Sequence, residues 1–263
     1  MKRFAAVALI LSFAATAALA AAGYRLAPYK DDLFQYPGLI SQKDGGDYVV
    51  VDYRQARDLD QRDVVPEKKA QPQYVSLDTD AVQQDLVLQS GDHAIQYIRV
   101  GTPKGKAKAI VIYIHGRGGN RLQGVNDGMF GGNFNRIKNL MMRNNGIYLS
   151  PEVHDLGKPG VAEVKALMLE YAHENPGAPI FLACGSLGGG VCWSEARDPD
   201  TAPLIGGLLL MGSTHDDSFL KSPQIAGTAR HIPIYLGHGS HDPIFAWQGQ
   251  AAFYFYTKIA ARW

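Results

Sequence analysis

Five short, continuous apolar runs follow one another after residue 108, with turns or helical patterns between them. Runs of three to six apolar residues without polar alternation are typical of strands that are buried on both faces. Strands that alternate with helices predict an α/β fold, with a mainly parallel twisted sheet covered by helices on both faces. The runs occupy residues 109–114, 147–149, 180–183, 208–211 and 234–236.

Other patterns predict the elements around these strands. Residues 86–88 and 95–100 flank a Ser-Gly-Asp turn and predict a hairpin ahead of the first run. Apolar residues recur at helical spacing over residues 161–173, where an Asn-Pro-Gly sequence ends the pattern. A further helix is predicted over residues 246–262.

The N-terminus is typical of a secretory signal peptide over residues 1–20. A basic start precedes an apolar run from Phe4 to Ala20 that ends in small residues. An uncleaved anchor is the alternative, but 17 residues with eight Ala are short for a span of about 20. We therefore expect a periplasmic or secreted protein with no stable membrane insertion after signal removal.

The segment over residues 21–80 forms an N-terminal extension, and residues 81–263 form the main domain. Six of the chain's 13 Tyr lie in the extension, which predicts that it packs against the domain. Its only predicted strand covers residues 48–53, and residues 54–69 are predicted to be a solvated loop.

The charge of the chain argues against a polyanionic partner. Twenty-six basic and 25 acidic side chains give a net charge of +1, with no basic excess for nucleic acid or an anionic membrane. We therefore expect no nucleic-acid partner.

Two cysteines, Cys184 and Cys192, lie eight residues apart. In an oxidising compartment they could form a disulfide. Two free thiols, one at a strand end and one in the following helix, are an equally natural arrangement. The sequence leaves both alternatives open.

A glycine-rich turn around Ser186 follows the third apolar run, in the sequence Cys184-Gly-Ser-Leu-Gly-Gly-Gly190. A serine on a sharp strand-to-helix turn needs small neighbours, because the turn pushes its side chain out and brings helix and strand together. The pattern is a relaxed G-x-S-x-G, with Cys in place of the first Gly. Its position between a predicted strand and a helix is the context that this motif requires.

A second glycine cluster, His115-Gly-Arg-Gly-Gly119, follows the first apolar run. In acyl transfer, backbone N–H groups must face the oxygen that becomes negative, and glycines let the chain approach it. We expect the amides of Arg117 and Leu187 to be these donors. A phosphate-binding loop is not favoured, because neither G-K-[ST] nor a complete G-x-G-x-x-G is present.

A third cluster ends in His241-Asp242-Pro243 after the last apolar run. Asp242 is the candidate carboxylate that orients a catalytic imidazole. The alternative is that Asp242 only caps the next helix. We expect no metal site here, because His238 and His241 lack the helical spacing and the partner cluster of a metal centre.

The three clusters, in this order, resemble the α/β-hydrolase superfamily. Within it, the His115-Gly-Arg-Gly-Gly119 motif is similar to that of small serine esterases of the phospholipase/carboxylesterase group. The resemblance covers residues 81–263. It implies an α/β-hydrolase fold and a carboxylic-ester substrate without a cofactor. It also implies Ser186 as nucleophile, Asp242 as acid, and a histidine later in the chain.

No histidine follows Asp242, although the superfamily order is Ser, then acid, then His. A base is needed because a serine hydroxyl alone is a poor nucleophile at neutral pH. We expect the histidine beyond Trp263, with His215 as the internal alternative. A non-catalytic exported binding protein on the same scaffold is the alternative function, and the remaining histidines are expected to be structural.

Overall fold

The computed structural model describes residues 25–35, 38–59, 70–91, 93–101, 105, 107–223 and 231–261. The predicted signal peptide lies outside these ranges.

The structure contains nine strands and four α-helices in its described part. The strands are β1 (Leu39–Lys43), β2 (Tyr48–Val51), β3 (Gln83–Ser90), β4 (His93–Gly101), β5 (Ile110–Ile114), β6 (Ile147–Pro151), β7 (Ile180–Gly185), β8 (Ile205–Met211) and β9 (Ile234–Gly237). The helices are α1 (Asn133–Arg143), α2 (Lys158–Glu174), α3 (Gly189–Arg197) and α4 (Trp247–Ala261).

Seven strands form one sheet in the order β3-β4-β6-β5-β7-β8-β9. The pairs β3/β4 and β4/β6 are antiparallel, whereas β6/β5, β5/β7, β7/β8 and β8/β9 are parallel. The predicted opening hairpin and the mainly parallel sheet are therefore confirmed. Every residue of β5 is buried, which explains its unbroken apolar sequence.

The sheet carries an apolar core on each face. On one face, Ile112 and Leu182 pack with residues of α2, α3 and α4, including Trp193 and Phe253. On the other face, the strand residues whose side chains point in the opposite direction pack with residues of α1, such as Phe134. Because helices cover both faces, residues of both orientations are buried along the whole of β5 and β6.

Helix α2 starts three residues before its predicted beginning, at Lys158. Pro159 lies in its first turn, where a fixed φ favours a helix and the missing N–H costs no hydrogen bond. The helix α1 has no counterpart in the sequence analysis. Its buried positions include Asn135 and Lys138, and these polar residues obscure the apolar periodicity. The Lys138 ammonium is paired with Asp127 at 2.8 Å.

The N-terminal extension contacts the main domain through several of its segments. Near its start, the Ala27 amide donates to Asn144, which directly follows α1, at 2.6 Å. Further on, the Tyr48 ring stacks on Phe255 of α4 at 5.4 Å, and Lys258 of α4 lies 3.5 Å from Asp44. The domain boundary at residue 80 stays a prediction, and the large sheet begins at β3.

Two predictions within the extension are wrong. Strand β2 ends at Val51 rather than at residue 53, and it pairs with the unpredicted strand β1. Residues 55–59 form a π-helical turn rather than a solvated loop, and Asp58 there is buried against Arg57 at 2.7 Å. Strand β1 escaped prediction because most of its side chains are exposed and it shows no apolar alternation.

Cys184 and Cys192 form a disulfide, with their Cα atoms 6.5 Å apart. This separation lies within the range that a disulfide can bridge. Both residues are fully buried. The bond therefore ties the end of β7 to the second turn of α3, on either side of Ser186.

Glu195 is a fully buried carboxylic acid on α3, and neither side-chain oxygen has a hydrogen-bond partner. Burial raises the pKa of Glu195 to about 7, because the charged form loses its hydration. The ammonium of Lys165 opposes this rise, whereas the Asp198 carboxylate adds to it. The Thr201 hydroxyl donates to the Glu195 backbone carbonyl at 2.7 Å. The folded protein therefore holds Glu195 protonated in weakly acidic solution.

We predict that Glu195→Gln stabilises the protein relative to the wild type increasingly as the pH rises above about 4.5. The unfolded chain releases this proton near the ordinary pKa of 4.5, and the folded protein does so near 7. The free energy of unfolding of the wild type thus falls relative to the variant as pH rises from about 4.5 to about 7, and the difference is constant above that. At pH 8 the variant should be more stable by about 3 kcal/mol.

Urea unfolding at pH 4 and pH 8 measures this difference. Glu170→Gln on α2 is the matched control and should show no such pH dependence. A Glu195→Gln variant that is equally stable to the wild type at pH 8 would contradict the prediction.

Candidate active site

Ser186 follows β7 directly and has a φ of 51°, in the left-handed region. Few residues other than glycine adopt this conformation, which costs on the order of 1–3 kcal/mol. A short 3-10 turn, Ser186–Gly188, then leads into α3. This strand-to-helix turn, here called the elbow, is the strained arrangement that the glycine pattern predicts.

The elbow lies against the loop after β5, because β5 and β7 are parallel neighbours. Ile114 pairs with Cys184 in the sheet, so Gly116 and Ser186 each lie two residues beyond the same register position. A Cβ on Gly116 would lie 2.8 Å from the Ser186 Cβ. A Cβ on Gly188 would lie 2.6 Å from the His115 carbonyl oxygen. Glycine is therefore required on both sides of this contact.

The loop after β5 forms a tight turn beside Ser186. The Gly119 amide donates to the Gly116 carbonyl at 3.1 Å, and Gly118 has a φ of 73°. Arg117 occupies the exposed second position of this turn. The turn and the elbow thus bring the predicted oxyanion-hole residues, Arg117 and Leu187, to the same edge of the sheet.

His115 is a buried structural residue at the base of this loop. Its Nδ1 donates to the Gly116 carbonyl at 2.8 Å, and its Nε2 accepts from the Val153 amide at 3.1 Å. The two bonds together require the neutral imidazole with the proton on Nδ1. His115 therefore links the loop after β5 to the loop after β6.

A cavity of about 590 Å³ opens beside the elbow. Residues 115–119 and 152–157 line it, together with Leu187. Arg117 and Leu187 thus share one cavity, which is within the usual size range of small-molecule sites. We call this space the main cavity.

Arg121 fixes the loop after β6 that forms one wall of the main cavity. Its guanidinium lies 3.0 Å from Glu152 and 2.9 Å from Asp85 on β3. A hydrogen bond from Arg121 lowers the pKa of Asp85. Burial alone would raise the pKa of Glu152, but the contacts with Arg121 outweigh it and lower that pKa. Both carboxylates are therefore ionised at neutral pH and hold the wall in place.

The elbow is also supported by a hydrogen bond from the loop after β8. The Ser213 hydroxyl, after β8, donates to the Ser186 carbonyl at 2.6 Å. The buried Gln250 of α4 donates to the Ser213 carbonyl in turn. A Cβ on Gly189 would collide with the Ser213 hydroxyl. Sequence analysis missed Ser213 and Gln250, because the contact joins residues 37 positions apart.

Asp242 lies after β9, next to the end of β8. One of its oxygens accepts from the Ile244 and Phe245 amides at 2.8 and 2.9 Å. The bonds from Phe245 and Ile244 lower the pKa of Asp242, so it is ionised at neutral pH. Its other oxygen lies 3.5 Å from the Cβ position of Gly212, which precedes Ser213. The turn thus uses only one oxygen of Asp242 for its backbone hydrogen bonds.

Three histidines near these loops differ in their surroundings. The Nε2 of His238 donates to the Phe245 carbonyl at 2.7 Å and lies 3.6 Å from Asp242. His215 contacts α4, with its ring 6.2 Å from that of Phe253 and its Nε2 3.7 Å from Asp217. His154 is exposed and lines the main cavity, a position that sequence analysis did not anticipate.

Comparison with known proteins identifies the fold. A thermostable esterase matches with a TM-score of 0.52 and 16% identity, over 69% of this chain and 52% of the esterase. The chain thus spans about half the length of that protein. An α/β serine hydrolase homologue from Coxiella burnetii matches with a TM-score of 0.47 and 15% identity, over 65% of this chain and 80% of that one. The chain has the α/β-hydrolase fold. No protein-family model and no curated protein matches it.

In this α/β-hydrolase fold, the described side chains offer no group of three His, Cys, Asp or Glu residues that could hold a metal ion. Each helix in the described ranges is too short or too polar to span a bilayer.

We predict that Gly116→Ala impairs the site without unfolding the protein. The added methyl group would lie 2.8 Å from the Ser186 Cβ and 3.3 Å from its Oγ, so the serine must move. A displaced reacting group costs on the order of 100-fold in rate. The rate of reaction at Ser186 should fall by about that factor, with little change in the far-UV circular dichroism.

Gly239→Ala is the matched control, because a Cβ there meets nothing within 4 Å. Equal activity of the Gly116→Ala variant and the wild type would contradict the close approach.

Proposed function

We propose that the chain hydrolyses carboxylic esters, with Ser186 as the nucleophile. The observation that carries this proposal is the strained conformation of Ser186 against Gly116, a residue that lines the main cavity. Such strain persists only where the surrounding structure maintains it, and it concentrates at functional sites. Structures that match the fold include a protein described as a thermostable esterase.

The reaction begins when the Ser186 Oγ bonds to the acyl carbon and its proton passes to an imidazole. The carbonyl oxygen becomes negative, and the amides of Arg117 and Leu187 stabilise it. The carbon–oxygen bond of the ester then breaks, and the alcohol leaves with the proton from the imidazole. Water hydrolyses the acyl-enzyme by the same route in reverse. Asp242 orients the imidazole through the oxygen that the turn leaves free.

The source of the imidazole stays a prediction. The superfamily order favours a histidine beyond Trp263, and His215 is the internal alternative. The contacts of His215 with Phe253 and Asp217 do not favour it, because they direct the ring to α4 and to its own loop.

Export of the protein also stays a proposal. The disulfide between Cys184 and Cys192 supports it, because disulfides persist in oxidising compartments such as the periplasm.

We predict that Ser186→Ala abolishes ester hydrolysis, because no other group would form the acyl-enzyme. The rate of p-nitrophenyl acetate hydrolysis should fall to the level of a protein-free blank. Ser41→Ala, in β1, is the control and should keep the wild-type rate. Equal rates for Ser186→Ala and wild type would overturn the nucleophile assignment. A folded wild type that shows no activity, although it was expressed from the complete coding sequence, would instead favour the non-catalytic binding role.

The same assay with His215→Gln identifies the base. Retention of activity would exclude His215, and a loss as large as that of Ser186→Ala would assign it. The unfolding temperature of each variant shows whether its fold is intact.

A further inference from the structure

A second cavity, of about 490 Å³, lies between α2 and α3. Leu156, Gly157 and the first turns of α2 form one wall, and Gly190 and Ser194 of α3 form the other. Nothing in the proposed chemistry uses this space. We call it the side groove.

The side groove continues the main cavity. Leu156 and Gly157 line both spaces, so the loop after β6 is their common wall. On the other side, Leu187 lines the main cavity, and Gly190 lines the groove three residues further along the chain. A substrate whose carbonyl lies at the elbow can therefore extend past Leu156 into the groove.

The surface of the side groove suits an aliphatic chain. Leu156, Val161 and Ala162 provide its apolar side chains, and a Cβ on Gly190 would meet nothing within 4 Å. No acidic side chain lines it.

Two lysines also line the side groove, but they do not make it an anion-binding site. The ammonium of Lys165 is paired with Asp198 at 2.8 Å and with Asp200 at 2.7 Å. Its charge is therefore compensated, and its methylene groups remain available for apolar contact. Lys158 is exposed, where its ammonium can stay in water.

We propose that the main cavity and the side groove form one substrate site, in which the side groove binds the aliphatic chain of the ester. This inference rests on the proposed function and adds the substrate class, esters with an unbranched chain of medium length. Leu156, Val161 and Ala162 are the residues that determine this specificity. The aliphatic chain can belong to the acyl part or to the alcohol part of the ester, and the test separates the two.

Hydrolysis of p-nitrophenyl esters from acetate to octanoate, and of alkyl acetates from ethyl to octyl, tests the proposal. In wild type, kcat/KM should rise by about two- to fourfold for each CH₂ group in one of the two series. A rise in the first series assigns the groove to the acyl chain, and a rise in the second assigns it to the alcohol.

Ala162→Trp fills the groove from an exposed position on α2. It should lower kcat/KM for the eight-carbon substrate by at least tenfold and leave the two-carbon substrate within twofold. Leu169→Trp is the matched control, because Leu169 is exposed on α2 two turns further on and lies outside the groove. That variant should keep the wild-type preference.

Two outcomes overturn the proposal while the proposed function stands. One is hydrolysis that depends on Ser186 but not on chain length in either series. The other is an equal effect of Ala162→Trp on short and long substrates.

A binding assay decides the case in which no ester is hydrolysed. The Ser186→Ala protein is titrated with N-octylacetamide and N-methyloctanamide in a calorimeter. Binding of one amide that Ala162→Trp weakens by tenfold or more supports the groove. Absence of binding overturns it independently of the proposed function.

Discussion

The close contact between the elbow and the loop after β5 is the constraint on which the rest of the structure depends. Ser186 has a positive φ, and its Cβ would meet a side chain at Gly116 at 2.8 Å. Parallel pairing of β5 and β7 places both loops at the same register position. Glycine at positions 116 and 188 is thus a steric requirement.

Several long-range contacts maintain this strained turn. The Ser213 hydroxyl holds the Ser186 carbonyl, Gln250 of α4 holds Ser213, and the disulfide joins the strand and helix on either side. The N-terminal extension packs on α4 through Tyr48 and therefore supports the same side of the site. The left-handed backbone of Ser186 costs about 1–3 kcal/mol, and the surrounding contacts together offset this cost.

Burial decided which parts of the molecule could be predicted from the sequence. The central strands were predictable because burial on both faces leaves continuous apolar runs in the sequence. The sharp strand-to-helix turn at Ser186 was predictable from the glycine spacing around it. Helix α1 was missed because its buried positions include Asn135 and Lys138, whose partners lie elsewhere in the chain. The place of His154 in the main cavity depends on the path of a loop, which no periodicity encodes. Long-range contacts such as Gln250 with Ser213 leave no local pattern.

Reaction with a fluorophosphonate tests the central claim most directly, because such reagents label a serine that its surroundings activate. Trypsin should release Ser186 in one peptide, residues 166–197. The only serines in this peptide are Ser186 and Ser194. For the folded protein expressed from the complete coding sequence, the account predicts one adduct on Ser186, located by fragmentation of that peptide, and none in Ser186→Ala. A folded protein that stays unlabelled, or that carries the label on another residue, would contradict it.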